Sequence, residues 1–363
     1  MGSIWGNNIK ISIFGESHGA GIGVTIDGFP AGVAYDETFI LEEMKRRAPG
    51  RNLQSTARKE ADTPKILSGV YNGKTTGAPI CAVIENTNQR SGDYAALHDQ
   101  PRPGHADYTG ALRYQGYNDP RGGGHFSGRL TAPLVFAGAF CKLWLKTQNI
   151  IVGAHIQSIA GIQDKPFSDT DVAPQQLENL RLVAYPLNDT EALQPMLNAI
   201  EQARSEQDSV GGVIECAAIG LPAGIGGPMM DTVESRLSSL LFAVPAVKGV
   251  EFGAGFAFAG LRGSQANDAF YQDGERVKTK TNHNGGILGG ITNGMPLLTR
   301  VCIKPTPSIS KTQNTLSLST KEIAPLEIHG RHDPCIVIRA VPVIEAACAI
   351  ALADLLREAK GYA

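Results

Sequence analysis

The sequence predicts one mixed α/β domain, and three features carry that expectation. Short apolar runs that alternate residue by residue, such as Ile9, Ile11 and Ile13 or Val24 and Ile26, stand between glycine and proline turns and read as half-buried strands. Longer apolar stretches, Leu130 to Lys146 and Pro342 to about Lys360, read as buried helices. No segment duplicates another, so a single domain over 1–363 accounts for a length that would also allow two or three smaller units.

The first strand runs into Gly15-Glu16-Ser17-His18-Gly19. A glycine on each side permits a sharp bend and close approach of a ligand, so His18 is expected on a tight turn. Histidine titrates near neutral pH, which makes it a natural proton donor or acceptor there. Gly21 to Gly28 follows as a second strand. Gly19, Gly21 and Gly23 lack the G-x-G-x-x-G spacing, and a strand stands where a dinucleotide loop needs a helix. Asp36 is an expected helix N-cap, with Phe39, Ile40 and Met44 on one face and Lys45, Arg46 and Arg47 closing the helix before Pro49-Gly50. From Lys45 to Lys59 there are six basic residues and no acid, and Arg51 and Arg58 favour a phosphate-facing loop.

Lys65 to Tyr71 and Pro79 to Glu85 read as short strands, followed by a long polar stretch, Asn86 to Arg121. Loops of that length in a compact domain are usually functional or disordered. This one holds Arg102-Pro103-Gly104-His105-Ala106-Asp107-Tyr108, which sets a histidine behind a Pro-Gly turn beside an arginine and an aspartate. Arg121-Gly122-Gly123-Gly124-His125-Phe126-Ser127-Gly128-Arg129 then enters the first buried helix as a candidate phosphate cradle.

Residues 153–210 carry little signal; Asp164 to Leu187 reads as peripheral, and Thr190 to Gln207 as a helix whose apolar stripe only packs. Val213 to Ile219 is an expected strand, Asp231 to Phe242 a helix, Val247 to Phe258 a strand, and Leu297 to Lys304 a strand leading into Pro305-Thr306-Pro307-Ser308. A lysine and hydroxyls on a proline-locked exit suit a phosphate. Gly330-Arg331-His332-Asp333-Pro334-Cys335 precedes the last helix, expected to begin at Pro342 as its first helical residue.

Composition narrows the function. A net charge of -2 argues against a general nucleic-acid or membrane surface, so any anion site must come from clustered arginines. No apolar run reaches the roughly 18 residues of a spanning helix. The six cysteines show neither C-x-x-C pairs nor a leader ahead of them, and a reducing cytoplasm is the expected compartment.

Taken together, the stretch from Gly15 through Asp27-Gly28-Phe29-Pro30, the Arg102 to Tyr108 motif, Gly285 to Gly290, Lys304 to Ser308 and Arg331 to Cys335 resemble the chorismate synthase family, in family order, from about residue 5 to about residue 356. The resemblance implies a β-α-β sandwich with helices between two antiparallel sheets, assembled as a homotetramer. It implies loss of phosphate from 5-enolpyruvylshikimate 3-phosphate to give chorismate, the last common step towards the aromatic amino acids, with reduced FMN required and no net redox change. On this likeness His18 protonates the departing phosphate, His105 the reduced flavin, and Asp333 works with the flavin to take the substrate proton. Arg47, Arg129, Arg331 and Arg339 become clamps for phosphate and carboxylates. FMN contacts are implied for His125, Phe126, Ser127, Ala246, Gly289, Lys304, Pro305, Thr306, Pro307, Ser308 and Arg331. Two departures stand out. His125 to Thr131 replaces a common Arg-Ser-Ser-Ala-Arg-Glu-Thr, and Leu53 stands where many members carry an arginine linked to a pyridine nucleotide, NADP. With no second domain to reduce flavin, a separate reductant is expected to supply it.

Two rival readings remain at this point. A metal-dependent hydrolase could use His18, His105, His125 and Asp333, although none has the H-E-x-x-H helix spacing. A flavin-binding or regulatory protein without turnover would fit the altered loop at His125 to Leu130.

Overall fold

The computed structural model describes residues 2–50, 62–87, 99–328 and 333–361. Two five-stranded antiparallel sheets form its frame. The first orders Ile4–Trp5, Lys10–Gly15, Gly21–Asp27, Ile80–Glu85 and Lys65–Ser68. The second orders Val247–Phe252, Leu297–Ile303, Gly212–Ile219, Ile151–Ile159 and Ile162–Gln163.

The Thr131–Thr147 helix packs against three strands of the first sheet and against Ile151–Ile159 of the second. Beside it, the Val337–Gly361 helix covers Ile151–Ile159 and Gly212–Ile219. Helices therefore lie between the sheets, which is the sandwich the resemblance implied. Both helices are buried almost all round, because each has a sheet or another helix on every side. They approach closely at Gly138, where a Cβ would lie 2.3 Å from the Ala346 Cβ, so only glycine fits.

A buried ionic cluster pins the helices in register. Arg46 donates to both Glu345 carboxylate oxygens at 2.6 and 2.7 Å and to Glu43 at 3.0 Å. Lys142 Nζ joins Glu43 at 2.6 Å and also bonds Glu345, whose Oε1 accepts from the Ala154 N–H at 3.1 Å. Burial works to raise the Glu345 carboxyl, but Arg46 and Lys142 outweigh it and hold the group well below the usual carboxylate range. The Glu37–Arg47, Thr131–Thr147 and Val337–Gly361 helices and a strand of the second sheet are thus joined through one set of charges.

Several sequence expectations hold in detail. Asp36 caps its helix, its carboxylate accepting from the Phe39 N–H at 3.0 Å. Others need correction. Asp164 to Leu187 is not peripheral, since Asp164, Phe167, Val172, Leu177 and Leu180 are buried, and the little-marked stretch before it holds Ile151–Ile159, an inner strand of the second sheet. Both faces of that strand are covered, so it lacks the alternation by which half-buried strands are recognised. Val247 to Phe258 is a strand only to Phe252, because Gly253 and Gly255, at φ of 55° and 53°, turn the chain into a short 3-10 segment, Gly255–Gly260. The polar stretch after Asn86 contains a helix, Asp107–Arg113. The last helix begins at Val337 rather than Pro342. Proline there forgoes one backbone bond, while burial of Val337, Ile338 and Val341 and an Ala340 N–H to Ile336 bond of 3.0 Å hold the preceding turn.

Candidate active site

Strand register brings the Glu16–Ala20 turn and Asn86 to one end of the first sheet, since Gly15 pairs with Ile22 and Gly21 with Glu85. Asn86 Nδ2 donates to the Glu16 and Gly19 carbonyls, both at 2.9 Å. Gly15, at φ 92°, starts the turn, and His18 lies buried within it. Ser17 Oγ donates to the Gly122 carbonyl at 3.0 Å and stands 3.2 Å from His18 Nδ1, while the Ser17 N–H donates to the Gly124 carbonyl at 3.2 Å.

The glycine-rich loop thereby docks on the His18 turn, and it is also the surface on which the second imidazole lies. Gly122, Gly123 and Gly124 all have positive φ. A Cβ on Gly122 would sit 2.1 Å from His18 Nδ1; one on Gly123 would sit 3.3 Å from His105 Nε2. Two histidines 87 positions apart (105 minus 18) therefore flank adjacent glycines of one strip. His105 is fixed from behind, its Nδ1 2.6 Å from Asp107 Oδ1. Arg102 grips the same carboxylate with Nε and Nη2, each at 2.7 Å. Burial tends to raise the Asp107 carboxyl, yet hydrogen bonds from Arg102 and His105 draw it far below the usual range.

Next to this strip lies a cluster of guanidinium groups. Arg47 and Arg129 share the buried carboxylate of Asp62, with Arg47 Nη1 2.7 Å from Oδ2 and Arg129 Nη1 bonded to Oδ1. Arg47 also donates to Thr131 Oγ1 at 3.1 Å and to the Gly128 carbonyl at 3.0 Å. Arg129 Nε donates to Asn86 Oδ1 at 3.1 Å, which ties the cluster back to the His18 turn. Arg339 donates through Nε to the Arg47 carbonyl at 3.1 Å and through Nη1 to Asp333. Burial, then the neighbouring Arg339, push Arg47 down to about 10, with Arg129 adding to the effect and Asp62 opposing it. A dianion placed here would relieve that repulsion.

The loop after Leu297–Ile303 completes the arrangement. Lys304 Nζ donates to the Gly104 carbonyl at 2.6 Å, Arg102 Nη1 to Ser308 Oγ at 3.0 Å, and the Lys304 N–H to the Ala246 carbonyl at 2.9 Å. Ser209 Oγ donates to the Thr306 carbonyl at 2.7 Å, and the adjacent Val210 N–H to the Pro334 carbonyl at 2.8 Å, beside Asp333. Hydrogen bonds and short stretches of chain thus run from the turn that carries His18 through Asn86, Arg129, Asp62, Arg47 and Arg339 to Asp333. They continue from Pro334 through Val210 and Ser209 to Thr306, along the chain to Ser308, and through Arg102 and Asp107 to His105, which flanks the glycine strip as His18 does.

Of the residues expected to hold a flavin, the Lys304 to Ser308 group fits a phosphate-bearing cofactor. Burial and Lys248 hold the Lys304 ammonium below its usual range, and Thr306 Oγ1 is buried with no hydrogen-bond partner among the described residues. Gly289, at φ 62°, has open space where a Cβ would stand, but it lies in the Ile287–Thr292 hairpin and makes none of the contacts given above. His125 is engaged by the start of the chain, with Nδ1 2.8 Å from the Gly15 carbonyl and Nε2 2.8 Å from Ser3 Oγ. Phe126 packs over Gly110 and Tyr114, and Ser127 Oγ accepts from the Arg129 N–H at 3.3 Å. Arg331, Arg51, Arg58 and Leu53 lie outside the described residues.

The sequence alone assigns no role in the site to Asp62, Asn86 or Asp107. Asp107 stands two places after His105 and was legible as a partner; Asp62 follows a stretch without periodicity and acquires its role only through the fold. Among the described residues, no group of three or more His, Cys, Asp or Glu side chains is arranged to hold a metal ion, and no helix is long and apolar enough to cross a membrane.

Comparison with known proteins identifies the family. The family model described as chorismate synthase matches residues 9–356. The chain is 47% identical over 355 residues to a chorismate synthase of Dehalococcoides mccartyi, covering 98% of this chain and 96% of the relative. It is 44% identical over 357 residues to one from Thermococcus kodakarensis, covering 98% of each. A solved structure titled as the crystal structure of chorismate synthase superposes with a TM-score of 0.77 at 30% identity, covering 98% of this chain and 94% of that one.

Proposed function

The chain belongs to the chorismate synthase family, and on that premise we propose that it eliminates phosphate from 5-enolpyruvylshikimate 3-phosphate to form chorismate, with reduced FMN required. The observation that supports this best is the run of contacts that links His18, His105 and Asp333 around clustered guanidinium groups. A 1,4-elimination that expels a dianion from an unactivated ring needs charge stabilisation, an acid for the leaving group and a base for the lost hydrogen.

Each need has a group suited to it. Arg47, Arg129 and Arg339 grip the substrate phosphate and carboxylates, and their mutual repulsion favours an anion among them. His18, buried beside that cluster, delivers a proton to the departing phosphate oxygen. Asp333, held by Arg339, accepts the proton that leaves the ring. His105 holds a proton at the flavin side of the glycine strip, with Nε2 against Gly123. Lys304, Thr306 and Ser308, with Ala246, hold the cofactor, and His125, Phe126, Ser127, Gly289 and Arg331 are assigned supporting contacts. The chemistry that reduced flavin would supply there, held by these residues, is the reversible loan of one electron to phosphate loss.

We assign the protein to the cytoplasm, with reduced flavin delivered by a separate protein, and to a homotetramer; exposed Met229, Met230, Phe256 and Phe270 support assembly. The test is anaerobic turnover with dithionite-reduced FMN. Chorismate forms with reduced FMN and not without it; absence of chorismate under both conditions overturns the proposal and leaves a flavin-binding scaffold.

A further inference from the structure

Behind His105 lies an arrangement that the assigned roles do not use. Asp107 begins the Asp107–Arg113 helix, and its carboxylate turns back onto the loop that carries His105. It accepts from the Arg102 N–H at 3.0 Å, from Arg102 Nε and Nη2 at 2.7 Å each, and approaches His105 Nδ1 at 2.6 Å. Arg102 Nη1 meanwhile donates to Ser308 Oγ at 3.0 Å, so one guanidinium spans the His105 loop and the loop at Lys304 to Ser308.

We propose that Asp107 is a positioning residue, which fixes the imidazole of His105 in the Nδ1–H form and so makes Nε2 the atom that exchanges a proton. An ionised carboxylate only accepts hydrogen bonds, so at 2.6 Å the hydrogen must lie on Nδ1. Arg102 Nη2 lies 3.0 Å from the same Nδ1, but it and Nδ1 both donate to Asp107 Oδ1. The other ring nitrogen then faces Gly123, where a Cβ would crowd it at 3.3 Å. Glycine at that position leaves Nε2 approachable from the strip. Arg102 has the complementary task of holding Asp107 in place through three hydrogen bonds, its backbone N–H included. The inference rests on the proton-holding role given to His105 above.

The test begins with histidine labelled with nitrogen-15 in the intact protein. His105 signals are assigned by their loss in His105→Ala, and the neutral ring is observed. The expected spectrum shows hydrogen on Nδ1 and none on Nε2; the opposite form overturns the inference whether or not Asp107→Asn folds. In Asp107→Asn the hydrogen moves in part to Nε2, and kcat falls by at least about tenfold while KM stays within about twofold, as for loss of an orienting partner. Asp107→Glu recovers part of the rate. Wild-type turnover and an unchanged spectrum in Asp107→Asn refute the positioning role alone. Undiminished turnover in His105→Ala refutes instead the role of His105 on which it rests.

Discussion

Replacing Glu345 by glutamine tests the frame that holds the arginine cluster together. In the folded protein two carboxylates, Glu43 and Glu345, face two cations, Arg46 and Lys142, all of them buried. Glutamine keeps the shape of the side chain and removes one charge, which leaves a net positive charge in the interior. Breaking a buried pair in this way costs about 3–5 kcal/mol. At about 1.4 kcal/mol per factor of ten, the folding constant drops by roughly two to four powers of ten. Urea unfolding followed by tryptophan fluorescence reads that loss directly. The double variant Lys142→Met, Glu345→Gln restores neutrality and is expected to recover most of it, because buried ion pairs exchange well for apolar contacts. The pH dependence has a definite sign. The folded Glu345 carboxyl titrates below its ordinary value of 4.5, so its contribution is complete above that value and is lost as pH falls through the folded one. A Glu345→Gln protein within about 1 kcal/mol of its parent, with the same acid limb, would mean that this buried charge cluster does not set the stability of the fold.

Other perturbations address the site. His105→Ala and Asp333→Ala are each expected to lower kcat at least about 10²-fold with substrate binding retained, and near-normal rates in either would remove its assignment. Arg129→Ala is expected to weaken substrate or FMN binding in a titration; unchanged affinity for both would leave Arg129 with packing alone. Gly122→Ala places a Cβ 2.1 Å from the His18 ring at a positive φ, so turnover should collapse. Wild-type rates there would show that His18 does not depend on the strip. Turnover is expected to survive thorough chelation, with no zinc by elemental analysis, whereas loss that zinc restores would favour a metal-dependent hydrolase.

What could be read from sequence follows physical lines. The Gly15–Gly19 turn was legible because glycine at both ends and an alternating strand before it leave few other conformations. The helix from Asp36 was legible through its cap and terminal cations. Ile151–Ile159 was not, since its nearly continuous burial erases alternation and its His155 hides inside a buried contact set. That ring donates to Asp164 and Glu215 at 2.9 Å each, partners 9 and 60 positions away. Asp62 carried no local signal, because its part in the site arises when Arg47 and Arg129 converge on it from separate elements. The His18 and His105 motifs could be recognised one by one, but their meeting across Gly122 and Gly123 is a property of the fold.

The most direct test of the central claim is a crystal structure with FMN and the phosphorylated substrate both bound. The substrate phosphate is expected among Arg47, Arg129 and Arg339 and within about 3.2 Å of a His18 ring nitrogen, with the flavin lying between His105 and Asp333. Ligands bound away from the glycine strip, or a phosphate beyond hydrogen-bond reach of both His18 and the three arginines, would contradict it.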